Sequence, residues 1–172
     1  MSPATRIVDE DAYFELSFSP NVKLVSTVRR FVSDFYAEQV NSDETISQLA
    51  VATHELLENA VRYSLDGNTT IRIGIKRFPH TLRVAIDTRN RASSDSIAIM
   101  RGVIDELAAA PDPDAHYLVL MRRSAKRVDG SGLGFGRVRA ETGMSVSYEV
   151  DDDAVHVHAQ ADFDARARGA RA

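Results

Sequence analysis

Hydrophobic and polar residues alternate strictly in two adjacent segments near the middle of the chain. Isoleucine fills every second position from Ile71 to Ile75, and Leu82, Val84 and Ile86 repeat the same spacing. The two segments cover residues 70–77 and 81–87, and a short proline-containing connection separates them. Period-two alternation of this quality predicts an antiparallel hairpin that is covered on one face.

Further patterns predict three more strands and five helices. An aromatic-rich strand ends before Pro20, and an acidic turn at 151–153 separates two closing strands over 145–150 and 154–161. Apolar residues spaced three and four apart predict helices that each bury one face. The expected helices, the last of them short, cover residues 22–40, 44–63, 93–110, 114–126 and 137–142.

The order of these elements predicts a single domain with two layers. The hairpins are too tight for parallel crossovers, which excludes a doubly wound parallel sheet. The pattern instead indicates a two-layer α/β sandwich, with helices packed on one face of a mixed, mainly antiparallel sheet. We expect the domain to cover residues 1–163 and the Ala/Arg-rich tail at 164–172 to be frayed.

Composition narrows the classes of function. The chain has 172 residues, no cysteine and a formal net charge of −4. The lack of cysteine excludes disulfides, zinc–thiolate sites and a cysteine nucleophile. The small negative charge argues against broad nucleic-acid binding. The first eleven residues contain no apolar signal-peptide core and no segment is apolar enough to cross a bilayer, so we expect a cytoplasmic protein without membrane attachment.

The second predicted helix carries three polar residues on one stripe. Glu55, Asn59 and Arg62 are four and three positions apart, so their side chains lie on the same side of the helix. An amide oxygen is a suitable Mg²⁺ ligand, a carboxylate can accept a proton, and an arginine can hold a phosphate oxygen. Alternatively, these residues are solvated positions on an amphipathic helix.

A glycine-rich loop precedes the last predicted helix. Glycines at 130, 132, 134 and 136 alternate with Ser131, Leu133 and Phe135. Glycine lets the backbone approach an anion closely, and a helix N-terminus adds free N–H groups, so the loop favours phosphate binding over a flexible hinge. The loop is not a Walker A motif, since no Gly-Lys-Ser/Thr follows. Arg137 stands where the dinucleotide fingerprint requires glycine.

Together these two segments resemble a known family. The run from Glu55 to Ala60 is similar to the N box of the GHKL (Bergerat-fold) ATPases, and Gly130 to Gly136 is similar to their second glycine box. The resemblance covers nearly the whole chain. Within this family, the chain is most similar to the small stand-alone anti-sigma-factor serine kinases of bacterial partner-switching systems.

The resemblance implies ATP and Mg²⁺ as ligands and a role for each matching position. Asn59 would bind Mg²⁺, Glu55 would be the general base, Arg62 would approach the phosphates, and Asp87 would accept a hydrogen bond from the adenine amino group. Residues from about 91 to 129 would form the ATP lid. The phosphates would lie against the loop residues Gly130, Ser131, Gly132, Leu133 and Gly134.

The sequence departs from the family directly after Asp87. Glycines normally follow this aspartate, whereas here Thr88, Arg89, Asn90 and Arg91 follow it. Asn90 or Thr88 could offer other hydrogen bonds to a nucleotide, and Arg89 or Arg91 could contact phosphate. Equally, these side chains could narrow the pocket, so that ATP binding is weakened or lost. A fold does not guarantee an activity.

Three functions are compatible with these features. The first is a protein serine/threonine kinase that phosphorylates a small STAS-type antagonist protein. The second is a non-enzymatic GHKL-fold module that sequesters a sigma factor or a STAS partner. The third is an ATPase subunit that hydrolyses ATP, which the lack of a transducer domain disfavours. The resemblance also implies homodimerisation, with the first strand and first helix as contributors.

Overall fold

The computed structural model describes residues 10–19, 22–124 and 132–165. The described residues form five strands and five helices. The strands are β1 (Ala12–Phe18), β2 (Thr69–Arg77), β3 (Thr81–Arg91), β4 (Ser145–Asp151) and β5 (Ala154–Asp164). The helices are α1 (Val22–Gln39), α2 (Asp43–Arg62), α3 (Ser94–Ala109), α4 (Pro113–Ser124) and α5 (Leu133–Thr142).

The five strands form one sheet in the order β1-β2-β3-β5-β4. Every pairing between these strands is antiparallel. The predicted two-layer α/β sandwich is therefore confirmed, and its sheet is more regular than the mixed sheet expected from the sequence.

Alternation along the two central strands decides which face of the sheet the helices cover. Ile71, Ile73 and Ile75 of β2 are fully buried, as are Val84 and Ile86 of β3. These side chains form one apolar core with the buried faces of α1 and α2. The opposite face of the sheet carries polar and charged side chains, which is the usual arrangement for an antiparallel sheet with one solvated face.

Two local features fix the position of α2, the helix that carries the candidate site. The Ser42 hydroxyl accepts a hydrogen bond from the Thr45 amide at 3.2 Å and so caps the first turn. Farther along, the buried hydroxyls of Tyr36 on α1 and Thr53 on α2 are 2.9 Å apart and share a hydrogen bond. Thr53 lies one turn before Leu57 on the buried face, so the polar stripe beside it is held in a defined orientation.

Three element boundaries differ from the sequence prediction by three residues or more. Strand β3 continues to Arg91 instead of ending at Asp87, because the residues after Asp87 pair with β5 and Arg91 forms a salt bridge with Asp153. Helix α5 begins at Leu133, four residues earlier than expected. Strand β5 ends at Asp164, so one residue of the expected frayed tail is ordered; residues 166–172 lie outside the described residues.

No helix in the described ranges has both the length and the apolar character needed to span a bilayer.

Candidate functional site

The N-terminal end of α5 packs against the polar stripe of α2. A side-chain carbon built on Gly134 would lie 2.7 Å from Glu55 Oε2 and 3.3 Å from Asn59 Nδ2. Only a glycine allows the backbone to approach both polar groups this closely. The structure thus brings together three of the residues singled out in the sequence, although Gly134 is more than 70 positions from both Glu55 and Asn59 in the chain.

The first turn of α5 begins beside this region. Gly132 is the N-cap residue and adopts φ +87°, a left-handed conformation that favours glycine. The first helical hydrogen bond runs from the Gly136 amide to the Gly132 carbonyl at 3.1 Å. The amides of Leu133, Gly134 and Phe135 precede it, and such groups, together with the helix dipole, attract anions.

Arg137 is a site residue that the sequence analysis did not identify. Its Nη1 donates a hydrogen bond to Glu55 Oε1 at 3.1 Å, and its Nε donates to Glu141 Oε1 at 2.8 Å. The hydrogen bond to Glu141 is the main reason that the pKa of Arg137 is raised, and the bond to Glu55 acts in the same direction. The guanidinium is therefore a permanent positive charge beside Glu55.

Among the described residues, the structure does not place the others predicted to contact phosphate together beside Gly134. Arg62 is exposed at the end of α2 and has no ion-pair partner among the described residues. Leu133 is the first residue of α5, and its partly buried side chain packs against the core. Gly130 and Ser131 lie outside the described residues, as does the part of the expected lid from 125 to 129.

A narrow cavity continues from Asn59 and Gly132 into the space between α2, α3 and the sheet. It is lined mainly by apolar side chains and has a volume of about 40 Å³. Because one water requires roughly 10–15 Å³, the cavity holds only a few waters. A larger ligand would require α3 to move, since Met100 and Val103 of this helix line the cavity. Helix α3, which falls within the range expected to form the lid, therefore forms one wall of the cavity.

Polar groups from the sheet reach this cavity from β3. Thr88 and Asn90 are buried, face the helices and line the cavity. The Asn90 side-chain amide donates to the Arg91 carbonyl at 3.2 Å, which leaves its oxygen as an acceptor. These two residues belong to the segment in which the sequence departs from the family pattern.

Asp87 lies on the other face of the sheet. It alternates with the buried residues Ile86 and Thr88, and its carboxylate accepts a hydrogen bond from His158 Nδ1 of β5 at 2.8 Å. The structure therefore separates Asp87 from the cavity. A hydrogen bond from the adenine amino group to Asp87, as the resemblance implies, would require its carboxylate to face the helices, which it does not. Thr88 and Asn90 are the polar residues of β3 in that position.

The Asp87–His158 pair leads to a prediction about pH. The hydrogen bond to Asp87 is the main reason that the pKa of His158 is raised above its ordinary value, and Glu149 on β4 adds to the effect. A raised folded-state pKa stabilises the fold below the unfolded-state pKa, and this contribution is lost as the pH rises through the folded-state pKa. His158→Gln should therefore have a lower free energy of unfolding than wild type, and this difference should be larger at about pH 5 than at about pH 9.

Denaturant unfolding at the two pH values measures this difference. His80→Gln is the matched control, since His80 is exposed in the turn between β2 and β3. An equal difference between wild type and His158→Gln at both pH values would show that the charged pair contributes nothing.

The described residues contain no cluster of three or more His, Cys, Asp or Glu side chains that could hold a metal ion. Asn59 is the one predicted Mg²⁺ ligand, and its amide lies beside Gly134 and Glu55. A single amide oxygen fits a Mg²⁺ ion that takes most of its ligands from phosphate and water. The donor set here is therefore suited to a metal–nucleotide complex rather than to a metal held by protein side chains alone.

Comparisons with known proteins identify the fold. No model of a known protein family matches the chain, and no curated protein matches it. Among solved structures, a chain in the crystal structure of the SiaB–SiaC complex from Pseudomonas aeruginosa is similar, with a TM-score of 0.66 and 14% sequence identity. The similarity covers 87% of this chain and 89% of that chain. At this identity the match shows a shared fold.

Proposed function

We propose that this protein is a Mg-ATP-dependent protein serine/threonine kinase of the anti-sigma type, acting on a small STAS-type antagonist protein in a partner-switching system. One observation carries the proposal: Glu55 and Asn59 of α2 meet the backbone of Gly134 at the start of α5. The Glu55 carboxylate and the Asn59 side-chain amide, which approaches Gly134 through Nδ2, therefore lie beside the first turn of α5. The resemblance to the GHKL kinases assigns phosphotransfer to this combination.

Each group has a distinct part in such a reaction. Mg-ATP supplies the transferable phosphoryl group and neutralises part of its charge. Asn59 would hold the metal through its side-chain oxygen, while the first amides of α5 would hold phosphate oxygens. Glu55 Oε2 faces Gly134 and would accept the proton of the attacking hydroxyl. Arg62, exposed one turn beyond Asn59, would approach the phosphates from the solvent side.

The cavity beside Asn59 would take the nucleotide base. Its walls are apolar, and Thr88 and Asn90 provide the polar contacts from the sheet. A base would enter only after α3 moves away, so binding would be coupled to motion of the α3–α4 region. This coupling agrees with the lid that the resemblance implies for residues 91–129.

The proposed partner follows from the same resemblance. Kinases of this type act on STAS-domain proteins and regulate sigma factors, and the similar solved structure is itself part of a complex of two proteins. We therefore propose a STAS-domain substrate and, through it, control of a sigma factor or a comparable regulator.

The direct test is transfer of labelled phosphate. The protein is incubated with Mg-ATP labelled at the γ-phosphate and with purified STAS-domain proteins from the source organism, one at a time. Labelling of one of them on serine or threonine, located by mass spectrometry, is the expected result. Labelling that persists with Asn59→Ala at the wild-type rate would contradict the proposed site.

A non-enzymatic binding module is the second candidate, and the small cavity favours it. The residues after Asp87 continue β3 where the family has glycines, and α3 closes the cavity to about 40 Å³. In that case the protein would bind a STAS partner or a sigma factor without nucleotide. Complex formation of equal affinity with and without Mg-ATP, and no phosphorylated product, is the result that this alternative predicts.

A further inference from the structure

We infer that Arg137 is a positioning residue that holds the Glu55 carboxylate in the orientation needed for proton transfer. This inference rests on the proposed function, since it assigns a purpose to the contact between α2 and α5. Arg137 does not belong to either segment that carries the family resemblance. Its contact with Glu55 joins residues that are 82 positions apart.

The two oxygens of Glu55 have different surroundings. Oε1 accepts a hydrogen bond from Arg137 Nη1 at 3.1 Å, whereas Oε2 is the oxygen nearest to Gly134. The ion pair therefore fixes which oxygen faces the start of α5. A carboxylate held in this way presents one free oxygen to a hydroxyl group that arrives at the phosphate end of the site.

Arg137 is itself held from its other side. Its Nε donates to Glu141 Oε1 at 2.8 Å, one turn along α5. The Glu55 side chain is 18% exposed and that of Arg137 is 39% exposed, so the pair lies at the edge of the helix–helix contact. An isolated pair at this exposure adds little to stability. The remaining effect of the ion pair is to orient the Glu55 carboxylate.

The test combines a kinetic cycle with a spectroscopic measurement. Arg137→Gln should lower kcat for phosphotransfer roughly 10- to 100-fold, because a misplaced reacting group loses rate in this range. Its ATP affinity should stay within about twofold, since the substitution removes no proposed ATP contact. Arg137→Lys should recover part of the rate. In a Glu55→Gln background, Arg137→Gln should cause no further loss, because its effect operates through Glu55.

The spectroscopic arm does not depend on kinase activity. The side-chain carboxyl carbon of Glu55 is followed by NMR in the nucleotide-free protein, and its chemical shift should change in Arg137→Gln. Arg30→Gln, which makes the same chemical change on exposed α1, is the control and should leave it unchanged. Glu141→Gln should produce a smaller change of the same sign.

The outcomes separate the two claims. Additive losses in the kinetic cycle, or an unchanged Glu55 signal in Arg137→Gln, would overturn the positioning role of Arg137. If no protein is phosphorylated by wild type, the proposed function fails and the NMR measurement alone decides whether Arg137 orients Glu55.

Discussion

Replacing Glu55 by glutamine should slow phosphotransfer to the partner protein by at least about 100-fold, because a positioned general base contributes in this range. Glutamine keeps the size of the side chain and can still accept a hydrogen bond from Arg137, so the packing between α2 and α5 should persist. Mg-ATP affinity should change little, since the proposed phosphate and metal contacts come from other groups. Single-turnover transfer of labelled phosphate, with calorimetry of ATP binding, measures both quantities.

Glu58→Gln is the matched control for this substitution. Glu58 lies on the same helix, is exposed and faces His54 rather than α5. It should transfer phosphate at the wild-type rate. A Glu55→Gln variant as fast as Glu58→Gln would remove Glu55 from the mechanism, even if ATP binding were intact.

Replacing Gly134 by alanine should disable the site without unfolding the protein. The added carbon would lie 2.7 Å from Glu55 Oε2, so the carboxylate must move away from the start of α5. Because the contact is with the end of a flexible side chain, and because alanine favours a helix by roughly 1 kcal/mol over glycine, overall stability should change little. Phosphotransfer should nevertheless fall roughly tenfold or more, because a reacting group moved out of position loses rate in this range.

Gly102→Ala provides the comparison for Gly134→Ala. Gly102 lies within α3, and a side-chain carbon added there meets no atom within 4 Å. This variant should be as active as wild type and slightly more stable. Equal activity of the two alanine variants would show that the close approach of Gly134 to α2 has no functional importance.

The sheet and α2 could be predicted because their signals are local. The alternation of isoleucines in β2 and of Leu82, Val84 and Ile86 in β3 determines the hairpin and the face that it buries. The same alternation also predicts the face of the sheet on which Asp87 lies, and this face differs from the one that the family resemblance implies. Asp87 has the same parity as Arg83, so its side chain belongs to the polar face of the sheet, and its partner is His158.

Other features depend on contacts between distant residues. Helix α5 begins inside the glycine-rich segment, whose low helix propensity gives no local sign of a helix. The helix forms there because burial of Phe135 and Val138 stabilises it. The ion pair between Arg137 and Glu55 joins two helices, and no local pattern in either segment indicates it. The closed position of α3 over the cavity is likewise a matter of packing, which the sequence motifs leave undetermined.

Calorimetry of ATP binding to wild type and to Asn59→Ala, each with and without Mg²⁺, tests whether α2 and α5 form a Mg-ATP site. Wild type should bind ATP in the micromolar range only when Mg²⁺ is present, and Asn59→Ala should bind it at least about tenfold more weakly, a loss of about 1.4 kcal/mol. If wild type binds no Mg-ATP, or binds it no more tightly than Asn59→Ala does, these helices do not form the nucleotide site.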